Sequence, residues 1–446
     1  MSLAERIAEY VCSTGIEDFS PAVVERAKGL CLSALGSTVL GSTMAVSRTM
    51  ADYVRQTGSN AQAGVVGMGF RASREWAAAL NCISSHCTEY EDVAWPEAQY
   101  TCFLLPAMFT LGDALGASGR AVLEAIVIGF EVAARPGMTC SDHGAAARGF
   151  LSCANVGTIG AAAGAAKLMG LDRSTTRDAI TLAASLGGGL VRQTGSAAHV
   201  VEAGFAARDG IMAASLAAQG IGGTPTIFDG KQGYFDALAG QPEIAFDLGR
   251  GDDLRVMAVG YKKYPCCYLL QRIIDALRAM IDDHGLDAAD VAKVEVEVNE
   301  AFPNIVKFEK PVDVEQARFS LPFMVAAVLA GEPMDWRTFS EDALGNPQIL
   351  DQLHKTVTTI IPNSGFEQLS RSNRIIITLA DGETLTTVCS VAHGDASDPL
   401  STEEVAAGFL AKTEALLSRD AAADVTRMVA SLDTLPDVRP LMALMA

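Results

Sequence analysis

The chain has 446 residues, 49% of them hydrophobic and 20% charged; that much apolar material excludes disorder and suffices for a large core. Its 53 acidic residues outnumber its 34 basic ones, giving a formal net charge of −19. No run of Lys and Arg interrupts this acidity, which excludes a non-specific nucleic-acid or anionic-membrane binder and suggests a soluble cytoplasmic protein.

The opening MSLAERIAEY carries Glu5 and Glu9 and does not read as a signal peptide. Ser20-Pro21 resembles an N-cap followed by proline at the first helical position, opening AVVERAKGLCLSAL. Residues 29–47 and 149–166 are uncharged and approach the length needed to span a bilayer. They are rich in Gly, Ala, Ser and Thr, so they read as buried helices. Further helical runs are EWAAALNCISSHCTEYED, GRAVLEAIVIGFEVAARPG, VGTIGAAAGAAKLMGL, STTRDAITLAASLGGGLV and GFAARDGIMAASLAAQG. Apolar residues recur three and four apart in them, and several are apolar all round, as in the centre of a large bundle.

The pattern changes after about residue 265. VAKVEVEVNEAF alternates with a period of two from Val291, and RIIITLADGETLTTVCS reads as a hairpin turning at Asp381-Gly382. YLLQRIIDALRAMI and RFSLPFMVAAVLAG read as helices beside them. Ser401 then opens STEEVAAGFLAKTEALL with Glu404 three residues on, a capping box. The expected fold is mainly α. Residues 1–265 form the first part of a large helical domain, 266–392 a smaller α+β domain, and 393–446 return to the helical one.

Standard motifs are absent. There is no Walker A sequence and no Gly-x-Ser-x-Gly, and GMGFRAS holds only two of the three dinucleotide-binding glycines. The ten cysteines have no CxxC pair and read as reduced thiols; the six histidines have no HxxxH spacing for a catalytic metal.

Two clusters carry chemistry. The first is His86-Cys87-Thr88-Glu89-Tyr90-Glu91-Asp92. On a continuing helix His86, Glu89 and Tyr90 share one face. Three acids in four residues repel, so the run needs cations or water nearby. It is either a solvated helix end stopped by Trp95-Pro96, or a carboxylate base beside an imidazole, suited to proton abstraction or to activating a hydroxyl leaving group. The second is Tyr261-Lys262-Lys263-Tyr264-Pro265-Cys266-Cys267, in a chain with only ten lysines. It is either a surface pair or a lysine that holds a substrate carboxylate. His199 and Glu202, three apart, precede the expected 204–210 helix and alone carry little.

Five segments resemble, in order, blocks of the MmgE/PrpD family. They are AALNCISSHCTEYEDV, VGTIGAAAGAAKLMGLD, GFAARDGIMAASLAAQGIGGTPTIFDGKQGYF, GYKKYPCC and HGDASDPLSTEE. They cover nearly the whole chain, which is identified as a divergent member. Members of that family dehydrate 2-methylcitrate, decarboxylate cis-aconitate or epimerise iminodisuccinate. The resemblance implies a large helical domain plus a smaller α+β lid domain, a homodimer, no cofactor and no metal. It implies one small-molecule carboxylate as partner, and removal of a proton α to a carboxylate without a cofactor.

By the same resemblance, His86 and Glu89 are the candidate bases and Lys262 the catalytic cation. Glu89 and Glu91 stand where the family has Asp, Asp92 is kept, and Ser320 matches the small-domain serine. Other positions depart: Leu151 and Gln99 stand for histidines, His199 for a lysine, Glu202 for a histidine, and Phe323 for a tyrosine found in some members. With Glu91, Asp92, Lys263 and Ser320, these are the expected substrate-binding positions. Fewer positive donors suit a substrate with fewer carboxylates than the tricarboxylate 2-methylcitrate. The rival expectations are a catalytically silent binding homodimer and a cysteine-dependent activity at Cys266 or Cys267.

Overall fold

The computed structural model describes residues 1–94, 99–244, 246–362 and 372–446. Trp95-Pro96, the expected helix stop, lies outside them. The chain divides into two compact units, Met1–Tyr261 with Ser401–Ala446, and Lys262–Leu400.

The first unit is a helical bundle. Its helices are α1 (Leu3–Ser13), α2 (Pro21–Gly41), α3 (Ala45–Thr57), α4 (Arg74–His86), α5 (Thr101–Leu115), α6 (Gly119–Asp142), α7 (Ser152–Leu168), α8 (Arg173–Ala183), α9 (Ala197–Ala217) and α10 (Tyr234–Ala239). Two short antiparallel pairs accompany them. They are β1 (Ala63–Val65) with β2 (Phe70–Ala72), and β3 (Asp92–Ala94) with β4 (Val259–Tyr261). Ser20 accepts the Val23 N–H at the head of α2, with Pro21 in the first helical position as expected.

The packing explains the composition. Helix α7 is buried from Cys153 to Ala166, so the all-round apolar pattern does mark a central helix. It packs against α6 and α9, and α9 packs against α4. Small residues set these close approaches. A Cβ on Gly204 of α9 would lie 2.6 Å from the Ala79 carbonyl oxygen on α4. A Cβ on Gly41 at the end of α2 would lie 1.7 Å from the Ser84 oxygen. Neither position tolerates a side chain, and both bring neighbours against the last turns of α4.

Among the described residues no single helix is long and apolar enough to cross a membrane; α2 and α3, bent by 78°, reach that composition only together. Most of α2 is buried.

The second unit holds α11 (Tyr268–His284), the short helices α12 (Phe302–Ile305) and α13 (Val314–Ala317), α14 (Leu321–Leu329), and two more one-turn helices, α15 (Glu341–Leu344) and α16 (Pro347–Leu350). Its sheet has the order β6-β5-β7-β8, from β5 (Val291–Asn299), β6 (Thr356–Ile361), β7 (Asn373–Leu379) and β8 (Thr384–Cys389). The period-two pattern works as read: Val294, Val296 and Val298 are buried on one face of β5 with Ile375 and Ile377 of β7. The β7–β8 hairpin forms around Gly382, whose φ of +91° favours glycine. Strand β6 is not foreseen. It pairs parallel to β5, and nothing local in the sequence announces a partner some sixty residues away.

The chain then re-enters the first unit through α17 (Thr402–Thr413), α18 (Arg419–Ala430) and α19 (Arg439–Ala443). The Ser401/Glu404 capping box is present.

Candidate active site

The first cluster does not continue as a helix. Helix α4 ends at His86, and the chain turns sharply through Cys87-Thr88-Glu89 before entering β3. The Glu89 N–H donates to the His86 carbonyl at 3.0 Å. The Tyr90 N–H donates to Thr88 Oγ1 at 3.1 Å, and that hydroxyl donates to the Ser85 carbonyl. Glu89 itself is left-handed, with φ of 50°. The shared helical face of His86, Glu89 and Tyr90 is therefore overturned. A threonine whose side chain replaces the next helical hydrogen bond diverts the chain.

Nor is this a solvated helix end. His86, Glu89, Glu91 and Asp92 are all at most 2% exposed. The turn folds Glu91 back so that its Oε1 lies 2.8 Å from His86 Nδ1. An ionised carboxylate there can only accept, which in a neutral ring puts the proton on Nδ1 and the lone pair on Nε2.

Helix α9 supplies the second imidazole. It begins at Ala197, so His199 and Glu202 lie inside it rather than ahead of it. His199 Nε2 is 3.6 Å from Glu89 Oε1, and its ring centre is 4.8 Å from that of His86. Two carboxylate–imidazole pairs thus face each other, His86–Glu91 and His199–Glu89. Burial holds His199 below the ordinary histidine pKa; Glu89 opposes that shift and the His86 ring adds to it.

Glu202 is half-buried and accepts the Leu190 N–H at 3.2 Å, while its other oxygen, Oε2, is buried with no hydrogen-bond partner among the described residues. Burial raises its pKa, against the lowering effects of that N–H and of His86.

The donor atoms of His86, Glu89 and His199 lie within 4.8 Å of one another, as do those of His86, Glu91 and Cys102. Either set is close enough to share one cation, although no pair of histidines is near in sequence. Burial pushes the Cys102 and Cys153 thiols well up, so neither is a ready thiolate.

The remaining expected positions are spread out. Asp92 opens β3, opposite Tyr261. Gln99 precedes α5, and its carbonyl accepts from the Cys102 thiol. Leu151 is the residue before α7, and its N–H donates to Gly189. In the second unit Lys262 is buried, while Lys263 is well exposed and pairs with Asp275 at 3.0 Å. Ser320 caps α14, accepting the Phe323 N–H at 3.2 Å. Phe323 is buried against Phe339, with ring centres 6.2 Å apart. Cys266 and Cys267 are buried.

Lys412 escaped the sequence reading. It is 5% exposed and reaches the turn of the first cluster from α17. Val405, Phe409 and Lys412 follow the apolar spacing of that helix, the one signal that could have found it.

The chain belongs to the MmgE/PrpD family: residues 5–247 match the MmgE/PrpD N-terminal domain and 264–434 the C-terminal domain. It is similar to the cis-aconitate decarboxylase of Homo sapiens, at 26% identity over 100% of this chain and 94% of that protein. The Mus musculus cis-aconitate decarboxylase is also 26% identical, over 98% of this chain and 92% of the relative. One from Aspergillus terreus is 23% identical, over 99% and 96%.

Proposed function

We propose that this chain is a lyase for a small carboxylic acid, moving a proton at a carbon next to a carboxylate. The carrying observation is the buried His86–Glu91 pair facing His199 and Glu89. In this reading His86 Nε2 takes or gives the proton, and Glu91 holds the ring in the tautomer that allows it. Glu89 beside His199 is the second group able to carry a proton. When an α-proton is lost, negative charge spreads into the carboxylate as an enediolate. When CO2 is lost, the C–C bond breaks, its electron pair stays on carbon, and a proton must be delivered there. Paired acid and base groups serve either course, and the chain's own residues carry every proton in it.

The relatives' name makes cis-aconitate the first substrate to try. The acid-rich cluster favours a molecule with fewer carboxylates, because each added anion must approach buried Glu89, Glu91 and Asp92. Proton NMR in D₂O with cis-aconitate, 2-methylcitrate, iminodisuccinate, malate and simple hydroxy acids decides. Solvent deuterium at an α-carbon, lost in His86→Gln, supports the reading, and the new product signals separate decarboxylation, dehydration and epimerisation. No exchange with any acid, from a folded protein, refutes it and favours the silent binding homodimer, for which the replacement of family histidines by Leu151 and Gln99 argues. The expectation for Lys262 is tested separately by Lys262→Ala, which loses exchange if that lysine holds the carboxylate. Light scattering tests the expected homodimer.

A further inference from the structure

We infer that Lys412, on a helix more than three hundred residues downstream, is a positioning residue that clamps the turn carrying Glu89 and Glu91. The inference rests on the reading of His86–Glu91 as a proton-handling pair.

A buried ammonium loses its hydration, so its contacts must be satisfied to keep it there. Lys412 Nζ lies 2.9 Å from the Tyr90 carbonyl oxygen, 3.2 Å from Ser37 Oγ and 3.3 Å from Ser33 Oγ. It also stands 4.2 Å from the centre of the Tyr90 ring. Ser37 Oγ donates to the same Tyr90 carbonyl at 3.0 Å. Gly36 leaves room for the lysine stem, since a Cβ there would lie 3.3 Å from Lys412 Cδ.

The two bonds to the Tyr90 carbonyl and the ring contact bear on the residue between the two site carboxylates. Glu89 is left-handed, a conformation that is unfavourable for a non-glycine residue and persists only where its surroundings impose it. Tyr90 is the residue that fixes it. Its N–H is held by Thr88 Oγ1 and its C=O by Ser37 and Lys412. That carbonyl belongs to the peptide leading into Glu91, whose carboxylate is then presented to His86 Nδ1 at 2.8 Å. Serine alone gives the carbonyl one neutral donor; the lysine adds a charge-assisted bond and a cation against the ring.

The test is Lys412→Met, which keeps an apolar stem and removes the charge. The readout is the Nδ1–H proton of His86 in ¹⁵N-histidine-labelled protein, assigned by its absence in His86→Asn. A carboxylate partner moves this proton downfield, and burial protects it from exchange. The expected result is an upfield shift or loss of this one signal, with the other histidine signals in place. Ser37→Ala, which removes the neutral donor to the Tyr90 carbonyl, is expected to shift it less in the same direction, and it supplies the answer if the lysine variant fails to fold. An unmoved His86 signal in a folded Lys412→Met protein overturns the proposal. With cis-aconitate as probe, kcat is expected to fall by about 10²-fold, as for a misplacement of roughly 1 Å. A wild-type protein inert toward every acid sinks the lyase reading, but leaves the NMR result to judge Lys412.

Discussion

Replacing Glu91 with Gln removes a charge and almost no volume, so it separates orientation from packing. Glu91 is 1% exposed and its oxygen is 2.8 Å from His86 Nδ1. A hydrogen bond to a charged group contributes about 1.5–3 kcal/mol. Most of this is felt when His86 is protonated, because the carboxylate then faces a full positive charge. Losing ~2 kcal/mol from the step in which His86 carries the proton slows it on the order of 30-fold. Glutamine can also turn its amide toward Nδ1 and draw the neutral proton onto Nε2, which removes the basic nitrogen and deepens the loss. The fold should not suffer, because one of three acids buried within four residues becomes neutral. The assay is α-deuterium incorporation from D₂O beside a thermal melt of the same sample. Full exchange activity in Glu91→Gln would falsify the assignment of Glu91 as the orienting carboxylate. Lost activity together with a large fall in Tm would instead make its role structural.

Three further outcomes follow from the geometry. Burial lowers the folded pKa of His199 from 6.5, so its neutral form supports the fold above that pH, and stability is lost as pH falls through the lowered value. The fall in Tm below about pH 6.5 should therefore be shallower in His199→Asn than in wild type; an equal slope refutes this. Gly41→Ala drives a Cβ to 1.7 Å from the Ser84 oxygen and 2.9 Å from Cys87 Sγ, and should cost ~3 kcal/mol or more, seen as a much lower denaturation midpoint. Ser320→Ala removes the N-cap of α14 and should cost about 1 kcal/mol in urea unfolding; an unchanged midpoint would mean that the capping bond contributes nothing.

The local elements were written in the sequence because their causes are local. Ser20-Pro21, the Ser401/Glu404 box, the alternation of β5 and the Asp381-Gly382 turn each act within a few residues, and each forms as its pattern predicts. Family membership was legible for a related reason, since five blocks keep their order along the chain. His86, Glu89 and Glu91 were visible as a group, but their arrangement was not. A helical pattern running from Trp76 into the acids conceals the point where Thr88 substitutes its hydroxyl and the chain breaks away. Pairings between distant segments were decided by the tertiary fold alone. His199 meets Glu89 because Gly204 lets α9 press against α4. Strand β6 finds β5 in parallel, and Lys412 closes on Tyr90 across 322 residues. No periodicity encodes such meetings. They follow from which buried faces fit together, so the sequence named the acids and imidazoles while packing decided which acid serves which imidazole.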